Sequence, residues 1–162
     1  MSMVCQVDSR EKARAIKLIL AEFDRAGVKW FVSKLFVGDY MSMDNPRLVI
    51  DRKQNLLELC NNVVQDHKRF AAELTRAKEC GIHVIILCEH GRGIEELNDV
   101  MFWKNPRLKE SPMAVSGERL FRILSTMQNN TERYDVEFQF CSKNETGKRI
   151  IQILGGDNYG SD

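Results

Sequence analysis

The chain has 162 residues, of which 43% are hydrophobic and 29% are charged, as is typical of a soluble globular protein. Its formal net charge of +1 excludes a generally basic surface, so any site for a polyanion has to be a local patch. The longest apolar run, 84–88, is too short to span a membrane, the N-terminus does not resemble a signal peptide, and the five scattered cysteines form no C-x-x-C pair. These features favour buried free thiols in an intracellular, cytoplasmic protein over disulfides or a zinc site.

Strands and helices alternate in the first part of the chain, about 1–90, which predicts an α/β core. Apolar residues at helical spacing predict helices over 10–26 and 54–80, and β-branched and aromatic residues predict strands over 3–8, 28–35, 38–43, 47–52 and 83–89. The last of these strands is an almost unbroken apolar run, which suits a strand that is covered on both faces.

The remainder of the chain has a different pattern. Residues 91–116 are rich in glycine and proline and are predicted to be mostly loop, with one short helix near 95–100. Residues 117–156 predict a C-terminal helix-strand-helix extension with helices over 118–127 and 146–154 and an alternating strand over 135–141. No internal repeat interrupts this order, so the economical prediction is one domain over 1–162.

The triplet Asp51-Arg52-Lys53 follows directly after an apolar strand segment and is the most informative local feature. Because side chains alternate along a strand, Asp51 and Lys53 are expected on one face and Arg52 on the other. A carboxylate beside an ammonium is the pattern that a metal-dependent phosphodiesterase needs. The alternative is that the triplet consists of ordinary surface charges at the end of an exposed hairpin.

The hairpin register decides whether a second carboxylate joins this triplet. A three-residue loop after Met43 pairs that residue with Arg47 and places Asp39 opposite Asp51, whereas a loop one residue shorter places Asp39 opposite Ile50. Two directly opposed carboxylates are destabilising unless something neutralises them. A Mg²⁺ or Mn²⁺ ion would do so, since these hard cations take oxygen ligands.

Three segments in order resemble the signature of the XPF-type structure-specific nucleases, a branch of the restriction-endonuclease-like PD-(D/E)xK superfamily. They are Val7-Asp8-Ser9-Arg10-Glu11, Gly38-Asp39-Tyr40 and Val49-Ile50-Asp51-Arg52-Lys53, and the resemblance covers about residues 4–90. It implies an α/β fold with a restriction-endonuclease-like mixed central sheet flanked by helices. It also implies Mg²⁺- or Mn²⁺-dependent cleavage of DNA at branched, flapped or junction structures.

The resemblance assigns roles to individual residues. It implies catalytic roles for Asp39, Asp51, Lys53 and Glu11, metal ligation by Asp39, Asp51 and Asp8, and supporting roles for Arg10 and Arg52. The two acids of the first segment, Asp8 and Glu11, also suit the N-terminus of the helix predicted over 10–26.

Two positions depart from the family pattern. The family usually has Glu where this chain has Asp51, and an Asp where this chain has Leu57, with Glu58 beside it. Leu57 favours an alternative function, a catalytically weak or inactive module that binds DNA junctions or a protein partner. Residues after 112 do not show the paired helices of a helix-hairpin-helix module, so we expect a stand-alone nuclease domain whose substrate choice depends on a homodimer, on the C-terminal extension or on a separate partner.

Two groups of residues are candidates for DNA contacts. Lys68, Arg69 and Arg76 lie on the helix predicted over 54–80, where Arg69 and Arg76 share a face that could follow a phosphate backbone. Trp103 and Lys104 combine an aromatic ring and a cation that could contact an unpaired base. A solvated helix face is the alternative for the first group, and a core position is the alternative for Trp103.

Overall fold

A mixed sheet of six strands organises residues 2–156, the part of the chain that the computed structural model describes. The strands are β1 (Val4–Val7), β2 (Lys29–Val32), β3 (Tyr40–Ser42), β4 (Asn45–Lys53), β5 (His83–Cys88) and β6 (Val136–Phe140). Their order across the sheet is β2-β1-β3-β4-β5-β6, and β3 is antiparallel to both of its neighbours while the other pairs are parallel. The predicted domain also includes 157–162, which lie outside the described residues.

Helices cover both faces of this sheet. They are α1 (Lys17–Arg25), α2 (Leu56–Val64), α3 (His67–Glu79), α4 (Gly117–Asn129) and α5 (Thr146–Gly155), with 3₁₀ turns at Leu97–Phe102, Pro106–Lys109 and Lys143–Glu145. One apolar core joins α2, α3 and α4 to the sheet, and a second core joins α1 and α5 to the opposite face. Across residues 2–156, no helix is long and apolar enough to cross a membrane.

The central strands are apolar on both faces because each face meets a separate core. In β5, Ile86 belongs to the core of α2, α3 and α4, and its neighbour Ile85 belongs to the core of α1 and α5. Val49 and Ile50 divide in the same way in β4. The mixed α/β sheet is therefore confirmed, and β6 extends it by pairing with β5, so the predicted C-terminal extension supplies a strand of the sheet itself.

The two long helices of the predicted core are wrong in their extent. The helix predicted over 54–80 is divided at Gln65 and Asp66, whose backbone N–H groups both bond to the carbonyl of Asn61 and so end α2. The helix predicted over 10–26 begins only at Lys17, because the preceding residues form turns that run along the edge of the candidate site.

The hairpin between β3 and β4 has the predicted register beside the site and a different turn. Tyr40 pairs with Ile50 and Met41 with Val49, which are the pairings of the longer-loop alternative, and the paired ladder ends at Tyr40. The predicted turn over 44–46 is wrong. Ser42 pairs with Asn45 after a register shift, and this bulge accommodates Pro46, which cannot donate a ladder hydrogen bond.

Candidate active site

Gly38 places the first carboxylate of the site. Its φ is +78°, and a Cβ there would lie 3.0 Å from Cβ of Val49 and 3.2 Å from the carbonyl oxygen of Ile50. Only glycine combines this left-handed backbone with so close an approach to β4. The next residue, Asp39, donates its backbone N–H to the carbonyl of Ile50 at 2.7 Å. This bond fixes the backbone of Asp39 beside the end of β4, from which its side chain extends.

Asp39, Asp51 and Lys53 meet at this end of β4. The Asp39 carboxylate accepts the backbone N–H of Arg52 at 2.8 Å, and the Lys53 ammonium lies 3.4 Å from the Asp51 carboxylate. Asp51 and Lys53 therefore share a face, as the alternation of the strand predicts. Burial, and then the negative charges of Asp51 and Glu11, raise the pKa of Asp39 to about 9.

Lys53 is held as a cation in this site. Its ammonium lies 5.6 Å from the centroid of the Phe70 ring, and its side chain is only 12% exposed. Burial lowers the pKa of Lys53, but Asp51, then Glu58 and Asp39, raise it, and the pKa lies above its ordinary value. A lysine in this state offers positive charge and N–H donors, and it is poorly suited to act as a general base.

Arg52 points to the other face, where it lies between two carboxylates. Its guanidinium bonds to Glu11 at 2.7 Å and also to Glu89, and the Arg52 side chain is 6% exposed. Glu89 in turn accepts the hydroxyl of Thr146 at 2.6 Å, at the start of α5. The buried chain Glu11–Arg52–Glu89–Thr146 thus ties three distant parts of the sequence to the end of β4.

Sequence reasoning missed Glu89 and Thr146. The available signal for Glu89 was an acid directly after an apolar strand, parallel to the strand that ends in Asp51-Arg52-Lys53. A buried carboxylate needs a partner, and Arg52 was a candidate because the sequence pattern had assigned it none. Nothing in the local sequence marks Thr146.

Asp8 does not enter the cleft. It is 1% exposed, and its two carboxylate oxygens accept the backbone N–H of Leu35 at 2.8 Å and the Arg10 side chain at 2.7 Å. The backbone N–H of Asp8 donates to the carbonyl of Asp39 at 2.8 Å, so Asp8 positions Asp39 without lining the cleft itself. The structure therefore does not support Asp8 as a metal ligand, and it gives Arg10 a supporting role toward Asp8. The helix-start alternative also fails, since α1 begins at Lys17.

Glu58 reaches the cleft although Leu57 does not. The Glu58 carboxylate accepts the backbone N–H of Gln54 at 2.9 Å, and its own N–H donates to the side chain of Asn55 at 2.9 Å, which caps the start of α2. Leu57 packs against the core of α2, α3 and α4. An acid is therefore present in the cleft, one position after the residue where the family pattern puts it.

These side chains line a cavity of about 220 Å³, which we call the carboxylate cleft. Its walls include Glu11, Asp39, Asp51, Arg52, Lys53 and Glu58. Within residues 2–156, no group of three or more His, Cys, Asp or Glu side chains forms a complete metal-ligand set. Asp39 and Asp51 nevertheless fit Mg²⁺ or Mn²⁺, because Mg²⁺ is commonly held by one or two carboxylates and keeps several waters.

The three cations of α3 that are predicted to contact DNA lie in different surroundings. Lys68, Arg69 and Arg76 are exposed on α3, and Arg69 lines a depression that also includes Lys53. The Arg76 guanidinium lies over the ring of Phe36, 5.3 Å from its centroid, which gives that cation a partner within the chain.

Trp103 is buried, which favours its core alternative over stacking on DNA. It is 8% exposed and packs edge-on to the His90 ring, with centroids 6.3 Å apart. The exposed aromatic of this loop is its neighbour Phe102, at 78% exposure, and Lys104 is exposed as expected.

The site can now be compared with known proteins. XPF from Aeropyrum pernix has the same fold, with a TM-score of 0.64, 16% identity, and coverage of 93% of this chain and 63% of that chain. XPF from Aeropyrum pernix in complex with DNA gives a TM-score of 0.64, 15% identity, and coverage of 94% and 64%. The chain thus spans less than two thirds of these structures. No curated protein sequence matches it. The model of the ERCC4 domain matches residues 7–150, so the chain belongs to the ERCC4 domain family.

Proposed function

We propose that this protein is a Mg²⁺- or Mn²⁺-dependent endonuclease that hydrolyses DNA phosphodiester bonds at branched, flapped or junction structures. The observation that carries the proposal is the convergence of Asp39, Asp51 and Lys53 in one cleft at the end of β4. Membership of the ERCC4 domain family supports the reaction class. The DNA held by the Aeropyrum pernix XPF structure supports the choice of polymer.

Asp39 and Asp51 would hold the cation. Their side chains are close enough that the charge of Asp51 raises the pKa of Asp39, and this repulsion is relieved when a divalent ion binds both carboxylates. Such an ion supplies Lewis acidity toward the phosphate and lowers the pKa of an attacking water.

Lys53 supplies the second positive charge beside the scissile phosphate. Its ammonium is fixed by Asp51 and by the ring of Phe70, so it needs little reorganisation when negative charge develops on the phosphate oxygens. Arg52 serves the same centre indirectly. Its backbone N–H holds Asp39, while its side chain anchors the end of β4 to Glu11 and Glu89.

Glu58 favours this function over the alternative of a weak or inactive module. That alternative arises because Leu57 stands where the family has an acid. The Glu58 carboxylate, however, lies in the cleft and raises the pKa of Lys53. Glu58 can therefore carry the role that the family assigns one residue earlier. We infer that the departure at Leu57 changes the rate or the metal affinity rather than the reaction.

Cleavage of labelled DNA structures with Mg²⁺, with Mn²⁺ and with EDTA tests the proposal. Splayed, flapped and four-way substrates are expected to be cut with either metal and to stay intact in EDTA. Asp51→Asn is expected to reduce the rate by more than about 100-fold, beyond the usual cost of losing an outer-shell partner of a metal.

The matched control is Asp44→Asn, which removes an exposed carboxylate from the turn of the same hairpin and should cut at the wild-type rate. Equal cleavage by wild type and Asp51→Asn, both purified free of host nuclease, would contradict the proposal.

A further inference from the structure

A second, larger cavity adjoins the carboxylate cleft. Its volume is about 540 Å³, and we call it the side groove. Gln54, which directly follows Lys53, lines both cavities, so a molecule bound in the cleft can continue into the groove. A volume in the range of roughly 300–1,000 Å³ is typical of ligand sites.

Three of the four charged side chains that line the side groove are cations. Arg92, Lys104 and Lys143 line it, and all three are exposed. Its lining includes one acid, Glu89, which is buried and bonded to Arg52 and Thr146. The groove therefore presents unpaired positive charge directly beside the candidate catalytic residues, which suits a polyanion.

Phe102 adds an aromatic surface to these cations. It lines the groove with 78% of its surface exposed. The backbone beneath it is fixed, because the next residue, Trp103, is buried against His90, and His90 accepts the backbone N–H of Leu56 at 3.2 Å. An exposed ring on a fixed backbone and beside cations has the properties of a base-stacking platform.

Arg92 places its charge in the side groove although its backbone conformation is one that favours glycine. It lies between Gly91 and Gly93, and its φ of 54° is the only positive φ at a non-glycine residue within 2–156. Glycine would adopt this conformation without strain. An arginine at a position that favours glycine suggests a use for the guanidinium.

We propose that the side groove binds an unpaired DNA strand that leads away from the scissile phosphate, with one base stacked on Phe102 and phosphates beside Arg92, Lys104 and Lys143. This inference rests on the proposed function in taking DNA as the polyanion. An unpaired strand fits better than a duplex, because the faces of paired bases are already stacked on their neighbours and cannot cover a protruding ring.

Fluorescence anisotropy with a short labelled oligothymidylate tests the groove. The measurement uses the Asp51→Asn chain with Mg²⁺, so that cleavage does not change the probe. Phe102→Ala is expected to weaken binding of the oligothymidylate by about 5- to 150-fold, the range for loss of one base–aromatic stack. Binding of a blunt duplex should change less than twofold, as an order-of-magnitude expectation. Phe31→Ala is the matched control, since Phe31 is an exposed ring on β2, the far edge strand of the sheet, and its loss should leave both affinities unchanged.

Two further variants test the charges. Lys104→Ala should reduce the slope of log K against log salt by about 0.7, as expected for loss of one phosphate contact to a single strand. Arg92→Gly removes a charge while relieving the backbone, so it should weaken oligothymidylate binding and leave the melting temperature equal to or above that of the parent chain.

The outcomes separate this inference from the proposed function. A chain that cuts DNA but binds oligothymidylate equally well with and without Phe102 overturns the side groove alone. A chain whose binding depends on Phe102 but which cuts no substrate supports the groove and overturns the nuclease proposal.

Discussion

The carboxylate cleft and the side groove share Gln54 but handle charge in opposite ways. In the cleft, the charged side chains are largely buried and bonded to one another, as Arg52 is to Glu11. In the groove, three cations are exposed, and Glu89, the one acid in its described lining, is bonded to Arg52. The cleft is built to fix a geometry, and the groove is built to attract a polyanion.

This difference explains why the net charge of +1 is uninformative about function. The groove can attract DNA without a metal, whereas the acids of the cleft are matched by Lys53 and Arg52, so the cleft offers a phosphate little net attraction until a cation binds. Binding and cleavage should therefore respond differently to metal, to salt and to mutation. Four changes test either that separation or the buried network that fixes the cleft.

The largest expected effect follows from removing Arg52, the buried cation that lies between Glu11 and Glu89. Arg52→Ala leaves the carboxylates of Glu11 and Glu89 buried without their cation, which typically costs 3–5 kcal/mol in the free energy of unfolding. Urea unfolding measures this loss. Arg47→Ala, at an exposed position of the same strand, is the control and should change stability by less than about 0.5 kcal/mol. If Arg52→Ala leaves the free energy of unfolding nearly unchanged, the buried network does not anchor β4.

Lys53→Met sharpens the comparison by changing only the cleft. Methionine keeps an apolar stem beside Phe70 and removes the ammonium, so single-turnover cleavage should slow by about 10²- to 10³-fold, as for loss of one transition-state donor. Binding of oligothymidylate in the side groove should stay at the wild-type level. A variant that cuts normally, or one that loses single-strand binding, would show that the two cavities are not separate in function.

Metal binding should stabilise the fold through the cleft alone. With Mg²⁺ at about 100 times its Kd, the free energy of unfolding should rise by about 2.7 kcal/mol, since the ion binds only the folded chain. Thermal unfolding with and without EDTA measures the shift. Asp39→Asn should abolish it, whereas Lys104→Ala should retain it. A shift of equal size in Asp39→Asn would place the ion elsewhere.

The smallest effect concerns the contact that ties α5 to the site. Thr146→Val removes the hydroxyl that donates to Glu89, at a cost of about 1.5–3 kcal/mol in the free energy of unfolding. Thr146→Ser retains the hydroxyl and should recover most of this loss. If Thr146→Ser is destabilised and Thr146→Val is not, the packing of the methyl group, rather than the hydrogen bond, holds the start of α5.

Local rules predicted much of the cleft. Strand alternation placed Asp51 and Lys53 on one face and Arg52 on the other, and the longer of two possible hairpin loops gave the observed pairing of Tyr40 with Ile50. The same reasoning misplaced the turn, because the bulge after Met41 changes the pairing at the far end of the hairpin without disturbing the site.

The other failures concern contacts that neither the spacing of apolar residues nor the residue types determine. The break between α2 and α3 contains neither glycine nor proline, and it depends on backbone bonds to Asn61 that the sequence pattern does not reveal. Trp103 and Phe102 are neighbours of similar chemistry, and only the packing of the loop decides which ring is buried. The partners of Arg52 are likewise set by tertiary structure, since Glu89 and Thr146 come from other elements.

Anomalous diffraction from crystals soaked in Mn²⁺ tests whether Asp39 and Asp51 form the cation site of the cleft. A peak in contact with carboxylate oxygens of both residues is expected in the wild-type protein, and no peak is expected there in Asp51→Asn. A wild-type crystal with no peak at these carboxylates, or with its strongest peak elsewhere, would show that the two residues do not form the cation site.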